Sequence, residues 1–250
     1  VTDSDGPLLR VGSVSRRFGG FLAVDDVSFD VHDGEILGIA GPNGAGKSTL
    51  FNLISGLPFG PSSGTVHFSG QRVDRLRPDR ISRLGLRRTF QAEQLFSTMT
   101  VEENVLVAAA YLRSTRGTAG ISTRDATRKA LEDTGISQYR AARAADVPLI
   151  VKKKLMVASA LVGDPQMLML DEPAGGLDED DQADLIDLLR RLQADGLTLL
   201  IIEHVLSLLK QLAPRMIVMS AGRILAEGSP ADVLADSAVI EAYLGQGRES

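Results

Sequence analysis

The chain has 250 residues, 27 basic against 32 acidic for a formal charge of −5, and no cysteine. A chain of this length buries a full core as one large domain or a domain with a lobe, and its mild acidity gives no electrostatic reason to select nucleic acid as a partner. Disulfides, thiolate metal sites and a cysteine nucleophile are all excluded.

The start, Val1 to Gly6, is acidic and lacks the basic and apolar regions of a secretory signal. From residue 8 to about 70, short β-rich runs (9–14, 27–31, 36–40 and 65–69) alternate with Gly, Asp and Pro-Ser-Ser-Gly turns. The third run is followed by Gly41-Pro42-Asn43-Gly44-Ala45-Gly46-Lys47-Ser48-Thr49, which fits the phosphate-binding pattern G-x-x-x-x-G-K-[ST]. Glycines suit this loop because successive backbone N–H groups must turn inward on phosphate and a Cβ would block that approach. Lys47 supplies a cation to the β- and γ-phosphates, and Ser48 a hydroxyl for Mg²⁺. Residues 48–55 read as a helix ended by Gly56, its positive end aimed at the anion, so a nucleoside triphosphate ligand follows.

From about residue 91 to 154 the character turns helical, with Ala-rich segments at 101–112 and 124–131 joined by a Gly/Ser/Thr/Arg stretch, and this part reads as an inserted lobe. Lys152, Lys153 and Lys154 read as a solvated helix start. Beyond 157, buried strands (167–170, 198–202, 216–220) alternate with a helix at 182–193, which argues for a parallel sheet covered by helices. That helix is well signed, with Glu179, Asp180 and Asp181 at its positive end and Arg190 and Arg191 near its negative end. Asp171 and Glu172 close the strand Met167-Leu168-Met169-Leu170, where Asp171 can hold the Mg²⁺ shell and Glu172 can orient and deprotonate a water. The apolar run 197–202 is stopped by Glu203 and His204, short of the roughly 18 to 20 residues a membrane helix needs. The expected location is cytoplasmic, with membrane attachment only through a partner.

The expected fold is therefore α/β: one domain over 1–250, with a P-loop NTPase core and N-terminal antiparallel β part at 1–90 and 155–250, and a helical subdomain at 91–154. With both halves of the site placed, residues 11–244 resemble the nucleotide-binding subunit of an ABC transporter. The resemblance implies ATP with Mg²⁺ and hydrolysis coupled to transmembrane transport. It implies that Phe18 stacks on adenine, an ordinary packed Phe being the alternative, and that Gln91 touches Mg²⁺ and water and links the site to the helical lobe. It also implies that Asp178 faces a partner subunit and that His204 contacts the γ-phosphate. His32 and His67 read as surface residues.

Phe18-Gly19-Gly20, the run Ile202-Glu203-His204 and the tail Ile240-Glu241-Ala242-Tyr243-Leu244-Gly245 are similar to the subfamily importing branched-chain amino acids and related small amides. That implies transmembrane permease subunits and, indirectly, a solute-binding protein. In one respect the chain departs from the family: the signature L-S-x-G-Q is replaced by Val147-Pro148-Leu149-Ile150-Val151. Proline lacks hydroxyl and N–H, and isoleucine puts a branched side chain where backbone should approach phosphate. Loss of a charge-assisted hydrogen bond (about 1.5–3 kcal/mol) and of part of a helix-terminal anion site (about 0.3–2 kcal/mol) silences that half-site. The expectation is a heterodimer with a second ATP-binding subunit. Alternatives are an exporter or lipid-extraction ATPase subunit, and an ATP-gated clamp with little turnover.

Overall fold

The computed structural model describes residues 6–89, 95–111 and 122–244. β1 (Leu9–Phe18) and β2 (Phe21–Val31) form a hairpin about Gly19 and Gly20, and β3 (Ile36–Ala40) runs into α1 (Lys47–Ser55). Then come β4 (Ser63–Phe68), β5 (Gln71–Arg72), α2 (Pro78–Arg83) and β6 (Leu86–Arg88), followed by the helices α3 (Val101–Tyr111), α4 (Thr123–Asp133) and α5 (Leu149–Leu161). After them β7 (Met167–Asp171), α6 (Glu179–Ala194), β8 (Thr198–Ile202), α7 (Leu206–Leu212) and β9 (Arg215–Ser220) lead to β10 (Arg223–Gly228), α8 (Pro230–Ala235) and α9 (Ser237–Leu244).

Two sheets result. The antiparallel one has the order β2-β1-β4-β5, and the other, β10-β9-β3-β8-β7-β6, is parallel except for β10. The parallel strands are buried on both faces, which is why they read as unbroken apolar runs. Their side chains alternate with the pleat between two cores. Leu168, Leu170, Leu199, Ile201, Met216 and Val218 enter a core shared with α3 to α7. Met167, Met169, Leu200, Ile202, Ile217 and Met219 enter a core shared with α1 and the antiparallel sheet. The parallel sheet is thus fixed by apolar packing from both sides, each fully buried Leu or Ile contributing about 1.5–3 kcal/mol.

The expected antiparallel N-terminal part and helix-flanked parallel sheet are present, with differences in detail. β1 extends to Phe18 and β2 starts at Phe21 because Gly19, at φ +56, closes a two-residue turn that pairs Phe18 with Phe21. The proposed boundary at 154/155 falls inside α5. Lys153 and Lys154 are buried, and the Lys154 ammonium donates to Asp184 on α6 at 2.5 Å, so the reading of a solvated lysine run is corrected. A helix covered on several sides buries even long cationic stems if the head finds a carboxylate at the edge. His67 is half-buried with its Nδ1 enclosed and unpartnered, so it is only partly a surface residue, whereas His32 is exposed. β6 and β10 were not anticipated; three residues and an alternately exposed edge carry little apolar signal.

Candidate nucleotide site

β3, β8 and β7 are neighbours in the parallel sheet, so the segments leaving their C-terminal ends meet at one edge. This is where open α/β sheets hold ligands. From β3 comes the loop 41–46. Gly41, Gly44 and Gly46 have φ of +145, +78 and +99, and a Cβ would lie 2.3 Å from the Met219 carbonyl oxygen at Gly41 and 2.4 Å from the Ala23 carbonyl oxygen at Gly46. Gly46 precedes α1 with no side-chain cap, so the first turn of that helix offers its N–H groups to an anion. The Lys47 ammonium is buried and donates to the carbonyls of Gly41 at 2.6 Å and Pro42 at 3.0 Å. Burial pushes it below the usual lysine range, opposed by the charges of Glu172 and then Asp171. Asn43, Gly44 and Ser48 are exposed, Pro42 and Thr49 are half-buried, and Ala45 is buried.

β7 delivers Asp171 and Glu172. Asp171 is buried; its Oδ2 accepts from Arg88 at 2.8 Å, while its Oδ1 is enclosed without a protein partner. An orphaned carboxylate oxygen at the phosphate edge suits the water shell of a divalent cation, so Asp171 and the exposed Ser48 fit Mg²⁺. Among the described residues no group of three or more His, Cys, Asp or Glu converges, so the phosphates themselves would supply most ligands. Arg88 also donates to Asn52 on α1 at 2.7 Å, tying the helix behind the phosphate loop to Asp171. Sequence reasoning missed this residue, although it stands beside Thr89. Glu172 sits in the left-handed region at φ +50, a strained backbone for a side chain with a Cβ, held by its N–H donating to Ile202 at 2.9 Å.

β8 delivers Glu203 and His204. His204 is exposed, with Nδ1 3.8 Å from both Glu172 Oε2 and Glu203 Oε2, outside hydrogen-bond range. Glu203 is fully buried, which pushes its carboxyl above the usual range against the pull of the Ala174 and Val205 N–H groups and of His204. Lys47, Asp171, Glu172 and His204 thus share one edge. Asp178 caps α6, its side chain accepting from the Asp181 N–H at 2.9 Å. Phe18 ends β1 at 40% exposure, edge-on to Phe59 at 5.0 Å with the Arg16 guanidinium 4.9 Å from its ring. Gln91 lies outside the described residues.

Beside the site, a cavity of about 310 Å³ opens between the core and the lobe, lined by residues that include Arg87, Thr89, Phe96, Asn104 and Ser159. Arg87 is buried, donates to Ser82 at 2.8 Å and meets no carboxylate among the described residues, and burial pushes its guanidinium down to about 10. Among the described residues no helix is long and apolar enough to cross a membrane.

Residues 24–175 match the family model described as ABC transporter, and residues 223–249 that described as branched-chain amino acid ATP-binding cassette transporter. The chain is 36% identical to the high-affinity branched-chain amino acid transport ATP-binding protein LivG of Salmonella typhimurium, covering 96% of this chain and 98% of that protein. It is 34% identical to BraF of Pseudomonas aeruginosa, with the same name and the same coverage. The Nod factor export ATP-binding protein I of Rhizobium meliloti is 37% identical over 96% of this chain and 71% of that protein. Among solved structures, the ADP conformation of an ATP-binding cassette of an ABC transporter aligns with a TM-score of 0.85 at 32% identity, covering 95% of this chain and 98% of that one. A nucleotide-free cassette aligns with a TM-score of 0.84 at 31% identity, over 94% and 98%.

Proposed function

The chain belongs to the ABC transporter family and is an ATPase of it, and we propose that it is the energy-coupling subunit of an importer of branched-chain amino acids or related small amides. The observation that carries the energy-coupling part of this reading is the convergence of Lys47, Asp171, Glu172 and His204 at one sheet edge. In it, the N–H groups of the loop 41–46 and of the start of α1 wrap the phosphates, and Lys47 exchanges its two carbonyl partners for phosphate oxygens. Ser48 and Asp171 would hold Mg²⁺, with Gln91, and the ion would neutralise charge on the phosphate oxygens. Glu172 orients the attacking water and takes its proton, worth about 10² to 10⁴ in rate. His204 senses the terminal phosphate, and Phe18 offers a ring to the base. The importer reading is supported by the match at 223–249 and by the LivG and BraF relatives. Likeness to a Nod factor export protein favours export as a second reading.

The partners proposed are permease subunits, through them a solute-binding protein, and a second, different ATP-binding subunit; nucleic acid is not among them. The chain would then lie on the cytoplasmic face of the membrane, held by the permease. Arg87, a buried cation lining the cleft with no counter-charge among the described residues, supports a partner that brings a carboxylate there. The heterodimer is supported by α5, whose first residues, Leu149, Ile150 and Val151, bring no polar side chain to a phosphate. Pro148 precedes the helix without a side-chain cap, Val147, Ile150 and Val151 are buried, and Leu149 packs against Gly176. A partner with an intact signature would complete the site around Lys47, while the reciprocal site would bind ATP and turn over poorly.

The test is Mg²⁺-dependent ATP hydrolysis by the purified chain alone, with Glu172→Gln as control. The expected result is ATP binding without turnover until a second ATP-binding subunit is added. Turnover by the chain alone that Glu172→Gln abolishes would overturn the heterodimer, and turnover that survives Glu172→Gln in the complete assembly would sink the catalytic assignment.

A further inference from the structure

β8 ends in Glu203, a fully buried carboxylate whose two oxygens face two different loops. On one side the Ala174 N–H donates to Oε1 at 2.8 Å, fixing the start of the segment 174–178 that follows Glu172. On the other side the N–H groups of His204 and Val205 donate to Oε2 at 3.2 and 3.5 Å, fixing the turn that carries His204. The Glu203 N–H donates to the Ile39 carbonyl at 3.1 Å, so the residue is also anchored to the strand that feeds the phosphate loop. Burying an ionisable group is costly, and an apolar side chain would fill the same space without that cost. What an apolar side chain lacks is two acceptors, one for each loop.

We infer that Glu203 is a positioning residue for hydrolysis, a single carboxylate that clamps the segment after Glu172 to the turn bearing His204. It touches neither water nor phosphate, since none of its surface is exposed. Its action runs through the backbone. By holding Ala174 and His204 on one rigid group it keeps the Glu172 and His204 side chains at a fixed spacing, and it makes the segment ending in Asp178 move with His204. The inference rests on the reading of Glu172 and His204 as hydrolytic residues.

The test compares Glu203→Gln and Glu203→Asp with wild type, Glu172→Gln and His204→Ala in the transport assembly purified from membranes through a tag on this chain. Glutamine keeps the shape and replaces one acceptor by an N–H₂ group, so one loop loses its anchor. Aspartate keeps both acceptors on a stem one methylene shorter and reaches one loop only. The expected result for Glu203→Gln is kcat lower by about ten- to a hundredfold, with KM for ATP and the ATP dissociation constant within about twofold of wild type. Glu203→Asp falls in between. A kcat at the wild-type value in Glu203→Gln, beside inactive Glu172→Gln, overturns the clamp and leaves the hydrolytic reading standing. A parallel loss of ATP binding and kcat also overturns it, because a merely structural role predicts that pattern. Wild-type turnover in Glu172→Gln shows instead that the hydrolytic reading itself has failed.

Discussion

Gly46 carries two constraints at once: φ is +99, and a Cβ would lie 2.4 Å from the Ala23 carbonyl oxygen. An alanine there must shift the backbone of either the phosphate loop or β2, and both are packed into the core below the antiparallel sheet. Gly46→Ala should therefore cost about 1–3 kcal/mol and abolish measurable ATP binding in a calorimetric titration. Binding within threefold of wild type would show that the loop relaxes around a side chain. The need for glycine was legible in the motif, because the spacing itself implies backbone wrapped on phosphate. The strain at Glu172 and the clamp at Glu203 were not, since a carboxylate before a histidine looks the same in a sequence whether it is solvated or enclosed.

At the scale of elements, α6 is the best-specified helix: an aspartate cap, three acidic residues in its first turn, and buried Leu185, Ile186, Leu188, Leu189 and Leu192 at helical spacing. Asp178→Ala removes the acceptor for the Asp181 N–H and should cost about 1 kcal/mol, lowering the thermal midpoint by about 2–4 °C. An unchanged midpoint in a calorimetric scan would mean that solvent replaces the cap. α5 teaches the opposite lesson. Its lysines look solvated in the sequence, yet it is enclosed by the lobe and by α6, so Lys153 and Lys154 are drawn in with their apolar stems. Periodicity tells which residues share a face and is silent on how many faces are covered.

At the scale of the whole molecule, the cleft between core and lobe holds a charge that no described residue neutralises. The Arg87 guanidinium is driven to about 10 by burial, so its folded value lies below its unfolded one. A lowered base means that holding the proton costs stability at neutral pH, a cost that fades only as pH rises past the folded value. Arg87→Met should therefore stabilise the isolated chain by about 1–3 kcal/mol, raising its thermal midpoint at pH 7, while less permease co-purifies with it. A lower midpoint, or full retention of the permease, would refute this account of the cleft. The sequence by itself determined the phosphate loop, the strand bearing Asp171 and Glu172, the α/β alternation and the loss of the signature, because each is written in contiguous residues with fixed spacing. Only the tertiary structure decided that Arg88 is tied to Asp171, that Glu203 is enclosed between two loops and that Arg87 meets no counter-charge among the described residues. Those facts depend on which segments the sheet order brings side by side, and on how much water is left between them.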